Sequence, residues 1–355
     1  MAGDDALSVQ ARRDWCRAML PKVSRTFAAC IELLPEPTRR RVLVAYLLCR
    51  IADTIEDCPR LPPDEKRRWL AAWSAALADD GCDPRLETLF AEPASDDERL
   101  AQRARLVLAE FRSFAPAARA AIRPWVQEMS EGMAAFAARQ GDAGAFCALE
   151  DERELDRYCW FVAGTVGHLL TELFRLQSPR IDAARFAALK QRAADFGLGL
   201  QLTNIIKDVA DDRRRGWCFV PRLACARHGL SPEALLDVEQ ARGARAVMEA
   251  LIAKASAHLE RALEYCLLLP PADYRLRLFC LTPLFFAVRT LAVASADPRL
   301  LDPAHKVKIA RREVYGLIAL CHAIAPSDAA IVAAYRRCSR RKLLQTAVCS
   351  SGYPL

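Results

Sequence analysis

The sequence predicts an all-α fold in a single domain, and three observations carry that prediction. Nearly every segment repeats its apolar residues at i, i+3 and i+4, the period of a helix with one buried face, and no convincing alternating strand occurs. Only 14 glycines fall in 355 residues, while Ala, Leu and Arg, all good helix formers, recur throughout. Prolines gather between periodic segments, at Pro35 and Pro37, from Pro59 to Pro63, and at Pro93, Pro179, Pro270, Pro271 and Pro326, where they read as helix boundaries. Short loops are expected at 142–145 and 178–180. No linker composition and no fixed-period repeat divides the chain, so 1–355 reads as one helical domain with its core over about 20–325 and a basic tail over about 336–355.

Composition narrows the function. A hydrophobic content of 53% supplies a large core, and 27% charged residues exclude a disordered chain. The net charge of +7 is scattered over clusters such as Arg39 to Arg41 and Arg213 to Arg215. A nucleic-acid binder needs a concentrated basic and aromatic patch, so nucleic acid is not an expected partner. The 14 cysteines form no CxxC pair, and Cys49, Cys159, Cys280 and Cys321 sit inside apolar runs. They read as reduced core residues of a cytoplasmic protein. Met1 to Asp5 lacks the basic and apolar regions of a secretory signal, and the longest mostly apolar run, Leu278 to Val288, is too short to cross a bilayer. A monomer without a transmembrane anchor is expected, with peripheral membrane contact through the basic tail.

Two segments, Val42 to Ile55 and Phe196 to Val209, are apolar enough to be buried helices, yet each ends in acids: Asp53-Thr54-Ile55-Glu56-Asp57 and Asp208-Val209-Ala210-Asp211-Asp212. Tyr46, Arg50, Asp53 and Asp57 follow at steps of four, three and four, which makes one stripe on a helix. Gln201, Asn204, Asp208 and Asp212 follow at three, four and four and make another. Carboxylates one turn apart on an otherwise apolar helix repel unless a cation joins them. Oxygen-only ligands suit Mg²⁺, with Mn²⁺ as the alternative, and Mg²⁺ in such sites shares its shell with substrate phosphates. Asp53, Asp57, Asp208 and Asp212 are the metal-facing carboxylates and Asn204 adds a carbonyl oxygen; Glu56 and Asp211 lie at a different helical angle. Lys207 offers a phosphate a point charge. Two such helices face to face would enclose a cavity rimmed by acids and floored by apolar side chains, suited to a diphosphate head on a hydrocarbon tail. A lone acid cluster is ordinarily a solvated helix face; two of them, each closing an apolar helix, favour function. The Glu-x-x-His pairs of a di-iron bundle and the Asp-x-Asp-x-Asp-Gly loop of an EF-hand are both absent. A third segment, Tyr158 to Leu170, is apolar nearly all round and carries Gly164 and Gly167, which admit a close backbone or a ligand.

At these residues the chain resembles the squalene/phytoene synthase family of head-to-head prenyl transferases. Four pieces match in order between about Val23 and Ala325: Ser24-Arg25-Thr26-Phe27, Tyr46 to Asp57, Tyr158 to Gly167, and Gly197 to Asp212. Leu278-Phe279-Cys280-Leu281-Thr282-Pro283 and His305-Lys306-Val307-Lys308-Ile309 resemble segments of the family's squalene-forming branch. Lys207 stands where the family usually has Arg, Asp211 where Glu is usual, and Ala310 where a further basic residue is common.

The resemblance implies an isoprenoid synthase fold, a helical bundle around a central apolar cavity. It also implies Mg²⁺-dependent condensation of two farnesyl diphosphates to presqualene diphosphate, then NADPH-dependent rearrangement to squalene. It assigns Ser24, Arg25, Phe27, Arg50, Val162, Gln201, Asn204, Lys207 and Phe279 to substrate, and Tyr46 and Tyr158 to orienting the leaving diphosphate or relaying a proton. One of Arg213 to Arg215 joins the diphosphate contacts. Glu56 joins Asp53, Asp57, Asn204, Asp208 and Asp212 around the metal, and Lys306, Lys308 and Arg311 meet the NADPH phosphates. Phe27, Phe161, Phe279 and Phe286 are candidates to shield carbocations. The rival readings are a phytoene or dehydrosqualene synthase that needs no NADPH, and a non-catalytic helical protein that keeps the fold.

Overall fold

The computed structural model describes residues 8–79, 81–139 and 146–340. The expected loop at 142–145 and the tail beyond Arg340 lie outside the described residues, as do the side chains of Arg25 and Thr26. Among the described residues sixteen α-helices follow one another: α1 (Val9–Val23), α2 (Arg25–Glu32), α3 (Thr38–Glu56), α4 (Pro63–Ala78), α5 (Leu86–Leu89), α6 (Asp96–Gln102), α7 (Ala104–Arg112), α8 (Pro116–Ala137), α9 (Glu152–Cys159), α10 (Thr165–Gln177), α11 (Ala183–Arg214), α12 (Arg222–Ala226), α13 (Ala241–Leu268), α14 (Tyr274–Ala296), α15 (Arg311–Ile324) and α16 (Asp328–Cys338). Local chemistry starts many of them. The side chains of Ser8, Ser24, Ser95, Asp151, Asp182 and Ser327 each accept a backbone N–H in the first turn. Pro63 and Pro116 open α4 and α8, where a missing N–H loses no helical bond.

The fold departs from the all-helical expectation in one place. β1 (Cys147–Ala148) pairs in parallel with β2 (Trp217–Cys218), and the Cys147 and Leu149 N–H groups donate to Gly216 O and Cys218 O at 2.8 and 3.2 Å. Two residues a side are too few for alternation to show in the sequence.

The spine is α11, which packs against α10, α13 and α14. Small residues set the approach to α10: a Cβ on Gly167 would overlap the Ala193 carbonyl, and one on Gly197 would overlap the Ala163 carbonyl. The glycines of the Tyr158 to Leu170 segment thus admit a neighbouring backbone. Between α9 and α10 the chain widens into a π-helical turn, Trp160–Gly164. The Trp160 indole N–H donates to Glu128 Oε1 on α8 at 2.7 Å. Its ring also meets His168, which stacks on Trp125 with centroids 4.7 Å apart.

The reading of Leu278 to Val288 as too short to span a bilayer is corrected by α14. Pro283 lies inside this 23-residue helix instead of ending it, so the helix is long and apolar enough to cross a membrane. Its apolar window is 72% buried within the fold, which is the behaviour of a core helix. Arg277, fully buried on α14, donates to the carbonyls of Leu269 and Ala325 at 2.8 and 2.9 Å and pairs with Asp328, tying α14 to α16.

The glycine contacts give a direct test. Gly167→Ala and Gly197→Ala should each destabilise the protein by about 2 kcal/mol or more through overpacking. Gly316→Ala, on α15 with open space around it, should be neutral or stabilising by up to about 1 kcal/mol. Urea denaturation of the three variants measures the difference.

Candidate active site

The C-terminal ends of α3 and α11 face each other across a cavity of about 1100 Å³. Asp53, Glu56 and Asp57 line it from α3; Gln201, Asn204, Lys207, Asp208 and Asp212 line it from α11. Both stripes read from the sequence, apart from Tyr46, therefore converge on one space. The carboxyls feel this confinement. Asp53 is pushed up to about 7, first by burial, opposed by Arg50, then by the charges of Asp57 and Asp97. Asp212, 5% exposed, is raised to about 6, by burial first, with Arg215 opposing. Glu56 rises well above its usual range, from burial and then from Asp57 and Asp53.

Side-chain cations compensate in part. Arg215, just past α11, reaches an acid of each cluster: its guanidinium lies 3.2 Å from Asp57 Oδ1 and 2.5 Å from Asp212 Oδ1. Arg50 donates to Asp97 Oδ1 at 2.8 Å, a carboxylate the sequence did not mark. Lys207 pairs with its neighbour Asp208. Lys306 reaches over from the segment after α14 to Asp211 at 2.5 Å and Asp208 at 3.2 Å, and it holds Asp211 below its usual range. Asp211 does not line the cavity, whereas Glu56 does.

The donor types suit a hard divalent cation, although among the described residues no three of the acids already stand together as a metal-binding group. They are all oxygen, and Asp208 Oδ1 is buried without a hydrogen bond, with the Lys306 ammonium 3.2 Å away. Asp53, Asp57, Asp208 and Asp212, with Glu56 and Asn204 beside them, are the residues that would hold it. The nicotinamide expectation has a weaker footing. Lys306 is engaged by the second acid cluster, and Lys308 and Arg311 are exposed and outside the lining of this cavity.

The other expected residues divide. Tyr158 and Val162, one turn apart, line the cavity with Arg50. Ser24, Phe27 and Tyr46 form a group one turn further along the α3 stripe: burial raises the Tyr46 hydroxyl and Ser24 beside it opposes that rise, and the Phe27 and Tyr46 rings lie 5.8 Å apart. The Arg25 side chain is outside the described residues. Phe279 is 4% exposed, packs edge-on against Phe174 at 6.0 Å, and is not in the cavity wall. Phe161 packs on Gly132 and Phe136, and neither it, Phe27 nor Phe286 lines the cavity.

An aromatic wall does exist, and it joins Tyr158 to residues the sequence reading passed over. Trp217 stacks on Phe219 at 5.4 Å and 4°, and Phe219 stacks on Tyr158 at 4.4 Å and 21°. Phe146 adds a fourth ring, with the Arg213 guanidinium 4.2 Å over its face. The β1–β2 pairing holds Trp217 in place. With a strand of two residues, no local alternation marked Trp217 and Phe219 in the sequence. Lys66, on α4, was missed as well.

Comparison with known proteins agrees with this geometry. The family model described as squalene/phytoene synthase matches residues 20–313. The squalene synthase of Schizosaccharomyces pombe is 29% identical over 298 residues, covering 82% of this chain and 62% of its own length. The chain thus spans less than two thirds of that relative's length. Among solved structures, TcSQS in complex with the ligand BPH1237 superposes with a TM-score of 0.78 at 26% identity, covering 95% of this chain and 94% of that one. A dehydrosqualene synthase in complex with a ligand shares the fold, with a TM-score of 0.61 at 22% identity over 88% of this chain and 96% of its own.

The raised carboxyls have a signed consequence for stability. A carboxyl with a higher pKa in the fold than in the unfolded chain favours the fold below the unfolded value, 3.8 for Asp, and loses that advantage as pH rises toward the folded value, about 7 for Asp53. In chelator, Asp53→Asn should match wild type near pH 4. At pH 8 it should be more stable than wild type by about 1–2 kcal/mol, a figure discounted for water in the cavity. Urea unfolding at the two pH values tests this.

Proposed function

The chain belongs to the squalene/phytoene synthase family, and on that premise we propose that it condenses two farnesyl diphosphates head to head and reduces the product to squalene. The observation that carries the reading is the convergence of both acid clusters and an aromatic wall on one cavity. Its volume of about 1100 Å³ is at the upper end for small-molecule sites and suits two prenyl chains.

The first carbon–oxygen bond breaks when the charge of the departing diphosphate is met. Mg²⁺, when bound by the aspartates, supplies Lewis acidity to that leaving group. The protein adds its own cations: Arg50, Lys207 and Arg213 to Arg215 line the same space and offer donors to phosphate oxygens. Among the three consecutive arginines, Arg215 is distinguished by its reach to both clusters. Tyr158 is raised well above the usual tyrosine range, by burial first and then by Glu56 and Asp57. Its hydroxyl therefore keeps its proton at neutral pH, which suits a donor that orients the diphosphate better than a base. Carbon–carbon bond formation then passes positive charge along the prenyl chains. The faces of Tyr158, Phe219, Trp217 and Phe146 stabilise such charge and keep out water that would quench it. NADPH, when bound, supplies the hydride that separates squalene from dehydrosqualene; the His305 to Ile309 segment supports this half of the reading, and no step is assigned to it by position.

Incubation with farnesyl diphosphate and Mg²⁺, with and without NADPH, followed by product analysis, should give squalene only when NADPH is present. Dehydrosqualene under both conditions, or turnover of geranylgeranyl diphosphate alone, would contradict the proposal. Asp53→Asn and Asp208→Asn should each lower kcat by about 10³-fold, and Tyr158→Phe by about 10–10³-fold. Unchanged activity in both Asn variants would remove the acid clusters from the chemistry.

A further inference from the structure

Arg50 is held from outside its own helix. It lines the main cavity, and it also lines an adjoining recess of about 190 Å³ with Asp53, Asp57, Ser95, Asp97 and Glu98. Its Nε donates to Asp97 Oδ1 at 2.8 Å, a contact between residues 47 apart in sequence. The acid on its own helix, Asp53, stands further away, with Oδ2 3.8 Å from Arg50 Nη1. Burial works against the Arg50 charge, while Asp97 first and then Asp53 sustain it, so the guanidinium stands above the usual arginine value. Asp97 sits in the first turn of α6, which packs on α3. The acids on either side of it are engaged elsewhere: Asp96 pairs with Arg99 at 2.7 Å, and Glu98 accepts from Arg60 at 2.8 Å and from the Ala94 N–H at 2.7 Å.

Two acids therefore compete for Arg50. An arginine and an aspartate three residues apart on one helix are neighbours and can pair. Asp53 is one of the carboxylates that would hold the metal, so an Arg50 drawn onto it would oppose the metal and be lost to a phosphate. Asp97 takes the Nε edge of the guanidinium instead. The guanidinium is a rigid planar fork, so a carboxylate fixed at one edge sets the plane of the whole group. Donors already held in one plane need little ordering when an anion arrives, and contacts made by pre-ordered groups are tighter than those made by groups that must first be ordered. Asp97 does not line the main cavity, so its influence there runs through Arg50.

We propose that Asp97 is a positioning residue that holds the Arg50 guanidinium off Asp53 and ready for a diphosphate group. The inference rests on the condensation reading above and adds to it a residue outside the two acid-rich segments. A double-substitution cycle, read by calorimetric titration of inorganic diphosphate in saturating Mg²⁺, tests it. The proteins are wild type, Asp97→Asn, Asp97→Glu, Arg50→Gln and Asp97→Asn combined with Arg50→Gln. Thermal unfolding selects the folded variants, and Asp97→Ser serves where Asn does not fold. Asp97→Asn should bind diphosphate about tenfold more weakly. Asp97→Glu, which keeps the carboxylate, should recover most of the affinity. In the Arg50→Gln background, Asp97→Asn should cause no further loss. Equal affinity in wild type and Asp97→Asn would overturn the proposal. So would a loss that persists undiminished without Arg50, because a merely structural role weakens both backgrounds alike, and so would a Glu variant that recovers nothing. Wild type that binds no diphosphate in Mg²⁺ would overturn the condensation reading and this inference together.

Discussion

Like charges held face to face are the constraint on which the site depends. The acid-bearing ends of α3 and α11 meet across one cavity, and no chain would gather those carboxylates without something to oppose their repulsion. Two things do so. Backbone packing fixes α11, because Gly167 and Gly197 let α10 and α11 approach until no Cβ fits between them. Arg215 then joins Asp57 to Asp212 across the gap, and Lys306 covers Asp208 and Asp211 from the segment after α14. Arg215 is half exposed, so its ion pairs contribute little to stability by themselves. They balance charge at a place that packing has already determined.

That balance explains how a strained electrostatic arrangement becomes useful. Asp53, Glu56 and Asp212 are held above their ordinary pKa values first by enclosure and then by neighbouring acids, with Asp57 acting on all three, which amounts to an unmet demand for positive charge. Under the proposed function, a hard divalent cation would meet that demand, and a diphosphate would then meet the Arg and Lys side chains around the same rim. The aromatic side of the cavity, built on Tyr158, Phe219 and Trp217, would take the hydrocarbon.

Much of this was legible in the sequence, for a definite reason. Helical periodicity alone places Arg50, Asp53 and Asp57 on one stripe and Gln201, Asn204, Asp208 and Asp212 on another, and the structure sets both stripes in the cavity wall. Periodicity does not say which other elements close the cavity. Lys66 arrives from α4 and Trp217 and Phe219 arrive on a strand pair two residues long, each through tertiary contacts that no local pattern encodes. Glu56 lies off its stripe by helical angle yet lines the cavity as the last residue of α3, where the chain turns away. Phe279 shows the converse: its motif position suggested a ligand contact, and packing against Phe174 places it in the core. The π-helical turn at Trp160–Gly164 is likewise set by contacts with α8 and α11, through Glu128 and Gly197.

The central claim is that the two acid clusters act as one metal–diphosphate site. Electron paramagnetic resonance of bound Mn²⁺, recorded before and after addition of inorganic diphosphate, tests it most directly. The account predicts that diphosphate tightens Mn²⁺ binding and changes its signal, with both effects lost in either Asp53→Asn or Asp208→Asn. A Mn²⁺ signal and affinity indifferent to diphosphate, or effects that survive both substitutions, would contradict it.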